Sequence, residues 1–330
     1  MKNAIIEATG KYVPERIIKN QYFNDYFGED VDSWLRANVH IYERRWCSEG
    51  ESTADLCEKA AQQALQRAGL TADKINLLIV ATDTPEYVSP STAAIVQHRL
   101  GATKAGTFDL NAACAGFVTA LDVASKYILS DERYEYVLII GAYAMSKHLN
   151  PDDKKTVTLF ADGAGAVILR GIEESEKRGV CATELISQGQ YFDWMGIYGG
   201  GAKIPLTEGV LQNRDHQLKF LKRFPAELNP DMWTAMTHNL CKRLNIEPQD
   251  IDQFLMTQIN INSIWQTMDR LNLPHDRAHT IMHHNGYTGS AAIPIALNDA
   301  LELGKIKRGD WLFFIGSGGG LAFASAAVKF

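Results

Sequence analysis

The sequence predicts an α/β fold built from two copies of one unit, and three observations carry that prediction. First, "ALQRAGLTADKINLLIVATDT" from Ala64 is echoed by "LCKRLNIEPQDIDQFLMTQIN" from Leu240, with Ile75 and Ile251 at matching places about half the chain apart. Second, two further pairs keep the same order. "GTFDLNAACAGFVTALDVASKYIL" and "RAHTIMHHNGYTGSAAIPIALNDALELG" each read as strand, small-residue turn and long helix. "TVTLFADGAGAVILR" and "DWLFFIGSGGGLAFASAAVKF" each read as two strands around a glycine turn. Third, the strands "LLIVAT", "VLIIGA" and "LFFIG" are continuous apolar runs, as in a sheet covered on both faces. A pseudo-two-fold axis between the halves follows.

Two segments interrupt the repeat. "NDYFGEDVDSWLRANVHIYERRW" is an insertion in the first half. The region from Gly189 to Pro230 has no counterpart, lacks periodicity and is rich in glycine, aromatic and charged residues. Irregular insertions of this length are usually functional or mobile. The charged helices, such as "CEKAAQQALQR", read as solvated faces.

Composition narrows the function. At 330 residues, 46% hydrophobic and 22% charged, the chain is an ordinary globular protein able to bury a large core. A net charge of −6 gives no electrostatic case for nucleic acid or an anionic membrane. No apolar run is expected to approach the roughly 20 residues of a membrane span, and the first residues do not read as a signal or transit peptide. The expected compartment is the cytoplasm. Five scattered cysteines without a CxxC argue against a disulfide framework or zinc, and His283-His284 lacks the flanking pattern of a metal site. No metal and no bound cofactor are expected.

The residue that asks for chemistry is Cys114, in "FDLNAACAGFVTAL", where a strand gives way to an apolar helix. Taken alone, a cysteine among alanines is either a small core residue or a nucleophile. The helix start favours the second reading. Free N–H groups and the positive end of the helix dipole stabilise a thiolate and can hold the oxyanion of a thioester under attack. Such a site suits acyl transfer through an acyl-cysteine.

"FDLNAACAGFVTALDVASKYI", "LFADGAGAVIL", "TGSAAIPIALNDAL" and "GSGGGLAFASAAVKF" resemble, in order and over nearly the whole chain, the β-ketoacyl-acyl-carrier-protein synthase III family of thiolase fold. The resemblance implies a duplicated αβαβα five-layer sandwich, with an N-terminal half over residues 1–171 carrying the nucleophile and a C-terminal half over 172–330. It implies that Cys114 is acylated and that the Gly319 N–H joins that of Cys114 in an oxyanion hole. The "ADGAGA" from Ala161 is expected to be a structural turn.

The family stabilises the enolate of a malonyl thioester with a histidine and an asparagine, and here the pattern departs. Thr257 stands at the histidine position in "MTQIN" and Tyr287 at the asparagine position in "GYTGSAA". Threonine is no acid or base at neutral pH, whereas a tyrosine can donate to a developing oxyanion. His283 and His284 precede that loop, and His284 is the preferred candidate for a general base. Gln258 and Asn260 read as structural.

For substrate, Trp34 matches a tryptophan that stacks on adenine, with Asn38 where an arginine is expected and Arg36 as a substitute. Lys147 falls where the family has a basic residue contacting coenzyme phosphates. Ser89 replaces a phenylalanine that reaches across the dimer interface and blocks the acyl tunnel, which implies room for a medium or longer acyl group.

The leading expectation is a homodimeric acyltransferase taking an acyl group from acyl-CoA or acyl carrier protein for a Claisen-type carbon–carbon condensation in lipid or secondary-metabolite synthesis. Transfer to oxygen or nitrogen, and a non-catalytic subunit paired with an active paralogue, are the alternatives.

Overall fold

Each half of the chain delivers its apolar strands to a separate sheet. The computed structural model describes residues 1–330. Strands β1 (Lys2–Tyr12), β2 (Leu77–Ala81), β3 (Gly106–Leu110), β4 (Tyr136–Ala144) and β5 (Asp162–Glu173) form the first sheet, in the order β1-β5-β4-β2-β3. Strands β6 (Gly179–Ser187), β7 (Gln253–Met256), β8 (Trp311–Gly318) and β9 (Ala322–Lys329) form the second, in the order β7-β8-β9-β6. In the first sheet β2 is parallel to β3 and β4, while β5 is antiparallel to β4 and β1. The second repeats this, with β7 parallel to β8 and β9 antiparallel to β8 and β6.

Six longer helices complete the layers: α1 (Thr53–Ala68), α2 (Thr92–Leu100), α3 (Gly116–Ser130), α4 (Leu228–Leu244), α5 (Ile261–Arg270) and α6 (Ala292–Glu302). Helices α1 and α2 cover the outer face of the first sheet, and α4, with α5 beside it, covers that of the second. Helices α3 and α6 lie between the sheets. The result is the expected αβαβα sandwich.

Local sequence explains the boundaries. Helix α1 starts at a capping box in which Ser52 and Asp55 satisfy each other's backbone, and it ends at Gly69 with φ 64°. Helix α3 has two sheets to meet, so Phe117, Val118, Leu121, Ala124 and Ile128 are all fully buried. The window Ala113–Ser130 is apolar and long enough to pass for a membrane span by composition, yet it is this core helix.

Two expectations fail, each for a local reason. The strand expected around Ala278 is reduced to one bridge with Phe254. The Gln258 amide replaces the ladder there: its Nε2 donates to the His279 carbonyl at 3.0 Å and its Oε1 accepts from Ile281 N–H at 2.7 Å. The second sheet therefore has four strands, and the two histidines sit on a short helix, Met282–Asn285. The "ADGAGA" segment is not a turn but the start of β5, which runs on to Glu173, beyond the expected boundary at 171. Its glycines serve close packing. A Cβ on Gly165 would lie 2.7 Å from Pro294 Cβ and from Ile295 N on α6. Gly165→Ala is expected to cost about 1–3 kcal/mol by overpacking, read as a lower thermal midpoint.

Candidate active site

The chain between β3 and α3 carries Cys114 into the interior. Ala113, just before it, has φ +46°, a strained conformation for a residue with a Cβ. The turn is held by Ala115 N–H on the Ala112 carbonyl at 3.1 Å, Gly116 N–H on the Ala113 carbonyl at 2.9 Å and Ala113 N–H on Asn111 Oδ1 at 3.0 Å. Ala115 is the N-cap of α3, so Cys114 lies one residue outside the helix. The end of β8 closes on it from the other half. A Cβ on Gly318 would stand 2.4 Å from Cys114 N, and one on Gly316 would stand 2.9 Å from Ala115 Cα. Only glycine permits that approach.

Cys114 is buried yet lines a narrow cavity of about 90 Å³, together with Thr257, Tyr287 and Gly319. The Cys114 and Gly319 N–H groups have no hydrogen-bond partner within the fold. Two free backbone donors beside a thiol suit a thioester oxyanion. The irregular region 189–230 supplies the apolar wall, through Met195, Phe220, Phe224 and Leu228.

Tyr287 is fixed by its backbone as a strand residue would be. Its N–H donates to the Leu159 carbonyl and its carbonyl accepts from Ala161 N–H, both at 2.9 Å. Gly286, at φ +67°, makes this possible, because a Cβ there would lie 2.5 Å from Arg44 Cβ and 2.9 Å from Ala161 Cβ. The Tyr287 hydroxyl interacts with both the Cys114 thiol and the Thr257 hydroxyl. Thr257 Oγ1 is itself tied to Ser317, accepting from its N–H at 2.9 Å and donating to its carbonyl at 3.3 Å. The threonine hydroxyl is taken up by Ser317, and the Tyr287 hydroxyl is the phenolic donor at the cavity.

Electrostatics overturn the expected thiolate. Burial pushes the Cys114 thiol above its ordinary range, the Asp83 carboxylate pushes the same way, and the Tyr287 hydrogen bond opposes them without prevailing. Burial likewise raises Tyr287 and the neighbouring Tyr143 well above the usual tyrosine value. At neutral pH the resting site holds a thiol and two neutral phenols. Desolvation of the sulfur is the largest of these effects.

His284 is not in the cavity. Its side chain is 64% exposed, 3.7 Å from Glu43 in a separate surface cleft that also contains Arg36 and Tyr42. His283 is half-buried against Tyr42 and His284 rather than near the sulfur, and burial lowers its pKa. The histidine base expected from the sequence is therefore excluded by position: the short helix that replaces the missing strand turns both rings away.

The other substrate positions divide. Trp34 is exposed in a cleft of about 430 Å³ that is also lined by Leu159, the residue that accepts from Tyr287 N–H. Lys147 is not in that cleft; its Nζ donates to the Ser48 carbonyl at 3.3 Å. Lys154 and Lys155 are the cations beside Trp34, and "PDDKK" offered no motif by which to find them. Arg36 pairs with Asp32 and stacks 4.6 Å over Tyr42, so it does not take the place of an arginine at Asn38. Ser89 lies on an exposed loop with Tyr87 and Val88 and lines no part of its own chain's cavity.

Comparison with known proteins bears on this constellation. Residues 108–189 match the 3-oxoacyl-[acyl-carrier-protein] synthase III family and residues 241–330 match its C-terminal part. The β-ketoacyl-[acyl-carrier-protein] synthase III of Clostridium perfringens is 37% identical over all of both chains. The chain belongs to the synthase III family. The corresponding enzyme of Paracoccus denitrificans is 38% identical, again over all of both chains. The crystal structure of the Thermus thermophilus synthase III superposes with a TM-score of 0.89 at 31% identity, covering 99% of each chain. OleA of Xanthomonas campestris, at 21% identity and a TM-score of 0.82, shares the fold. As a synthase III relative, the protein is an acyltransferase of thiolase-like fold.

Gly318→Ala should displace the Cys114 turn. A shift of about 1 Å at a reacting group can lower the rate about 10²-fold, to be measured as single-turnover acyl transfer on protein whose circular dichroism is unchanged.

Proposed function

We propose that this protein forms an acyl-cysteine on Cys114 from an acyl-CoA or acyl-carrier-protein thioester and passes the acyl group to a carbon nucleophile in a Claisen-type condensation. The observation that carries this reading is the convergence of a thiol, two unpartnered backbone N–H groups and the Tyr287 hydroxyl on one cavity. The donor's carbonyl oxygen would sit between the Cys114 and Gly319 N–H groups. Tyr287 would donate to the oxygen on which negative charge develops in the second half-reaction, in place of a histidine–asparagine pair. Trp34, with Lys154 and Lys155, would receive the nucleotide end of coenzyme A when that is the donor. The protein would act in the cytoplasm as a homodimer, with Ser89 facing the neighbouring subunit's acyl site.

One observation favours a second reading, transfer to an oxygen or nitrogen acceptor. Thr257 is committed to Ser317, so an enolate would find no free hydroxyl at the position where the family has its histidine. That reading no longer has a histidine base. A non-catalytic role is disfavoured by the free oxyanion donors, which a purely structural subunit does not need.

Intact-mass analysis after incubation with acetyl-, hexanoyl- and decanoyl-CoA tests the proposal. A single adduct that is absent in Cys114→Ser is expected, and no adduct with any donor, including acyl carrier protein, would remove it. Tyr287→Phe should still acylate but lose about 10²–10³-fold in condensation with malonyl thioester. Undiminished condensation in that variant would show that the hydroxyl is not the enolate donor.

A further inference from the structure

With no histidine at the cavity and a resting thiol rather than a thiolate, the Cys114 proton needs a destination. Asp83 is the one carboxylate that acts on Cys114, Tyr143 and Tyr287 alike. It follows β2 by two residues, and both of its flanks are pinned. Thr82 N–H donates to the Leu110 carbonyl at 3.0 Å, Thr84 N–H to Thr82 Oγ1 at 3.0 Å, Ala144 N–H to Thr84 Oγ1 at 2.9 Å and Thr53 Oγ1 to the Thr84 carbonyl at 2.6 Å. Between those anchors, Asp83 Oδ1 is buried without a hydrogen-bond partner. A buried carboxylate oxygen left unpartnered calls for an explanation.

The internal repeat supplies an independent argument. The offset that relates Ile75 to Ile251 relates Asp83 to Ile259, and Ile259 lines the Cys114 cavity from the second half. The loop after β7 thus reaches the cavity, and its first-half counterpart after β2 is tied by Thr82 N–H to the Leu110 carbonyl, at the end of the strand that leads to Cys114. The second half brings Thr257 and Ile259, neither of which can take a proton at neutral pH. The first half brings a carboxylate.

We propose that Asp83 is the proton acceptor for the Cys114 thiol during acylation, reached directly or through one water. This rests on the acyl-cysteine reading. As Sγ bonds to the donor's carbonyl carbon, its proton passes to Asp83. When the tetrahedral adduct collapses and the donor's C–S bond breaks, the same proton passes to the departing thiolate, so Asp83 leaves the cycle ionised as it entered. Its charge is felt by the Cys114 thiol and the two neutral phenols, and no lysine or arginine acts on it. Burial raises its pKa to about 6, so it is mostly ionised at neutral pH and able to receive a proton.

Asp83→Asn separates this role from a purely electrostatic one, because the two predict opposite signs. A carboxylate that merely repels negative charge hinders thiolate formation, so its removal would leave acylation unchanged or faster. A proton acceptor is needed, so its removal should slow single-turnover acylation about 10²–10⁴-fold. Iodoacetamide alkylation of Cys114, which needs only the free thiolate, should be undiminished in the same variant and so reports an intact site. In the wild type the acylation rate should fall as pH drops through about 6, and Asp83→Asn should lose that limb. Asp83→Glu should recover part of the rate. Acylation by Asp83→Asn at the wild-type rate with the pH limb retained would overturn the proposal. Wild-type protein that alkylates at Cys114 but never acylates would instead fail the acyl-cysteine reading beneath it.

Discussion

Everything at the centre of this molecule depends on how closely β8 approaches the turn before α3. Two glycines, Gly316 and Gly318, let the second sheet press its backbone against Ala115 and Cys114 with no side chain between. That contact joins the two halves of the duplicated chain where the chemistry resides. It brings the free Gly319 N–H close to the free Cys114 N–H, next to a buried sulfur. Burial of that sulfur has a cost that general expectations for cysteines near helix starts leave out: desolvation favours the protonated form.

Much of this was legible in the sequence, and particular residues explain where legibility ended. The repeat and the unbroken apolar strands fixed the sandwich, because burial on both faces leaves no room for polar alternation. Cys114, Thr257 and Gly319 meet at one cavity because each follows a strand end of one half or the other, and Tyr287 joins them through its backbone pairing with Leu159 and Ala161. The departures come from side chains doing backbone work. The Gln258 amide completes hydrogen bonds that a fifth strand would have made, so a segment with a strand-like pattern becomes a bridge and a short helix. That substitution turns His283 and His284 toward Tyr42, and no pattern in "IMHHNG" records it. Gly163 and Gly165 looked like a turn because spacing alone does not distinguish conformational freedom from the need for close packing.

The missed residues share a property. Met195, Phe220 and Phe224 come from the segment without a repeat partner, where periodicity offers no guide. Lys154 and Lys155 reach Trp34 only through the tertiary fold. Asp83 is different. Its position was available from the internal duplication, since the loop that carries Thr257 and Ile259 has its counterpart in "ATDTP". Reading the repeat as a map of which loops converge, as well as evidence of duplication, would have singled it out.

The walls around the sulfur hold no lysine, arginine or histidine; they are hydrocarbon, amide, hydroxyl and backbone. An acceptor that brought a carboxylate into this space would exchange water for surroundings without a counter-ion, and that exchange is strongly unfavourable. Shedding the group as carbon dioxide relieves the penalty, because the departing molecule is neutral and the remaining charge moves onto an oxygen that a phenol can reach. The lack of cations would then favour loss of the carboxylate from such an acceptor.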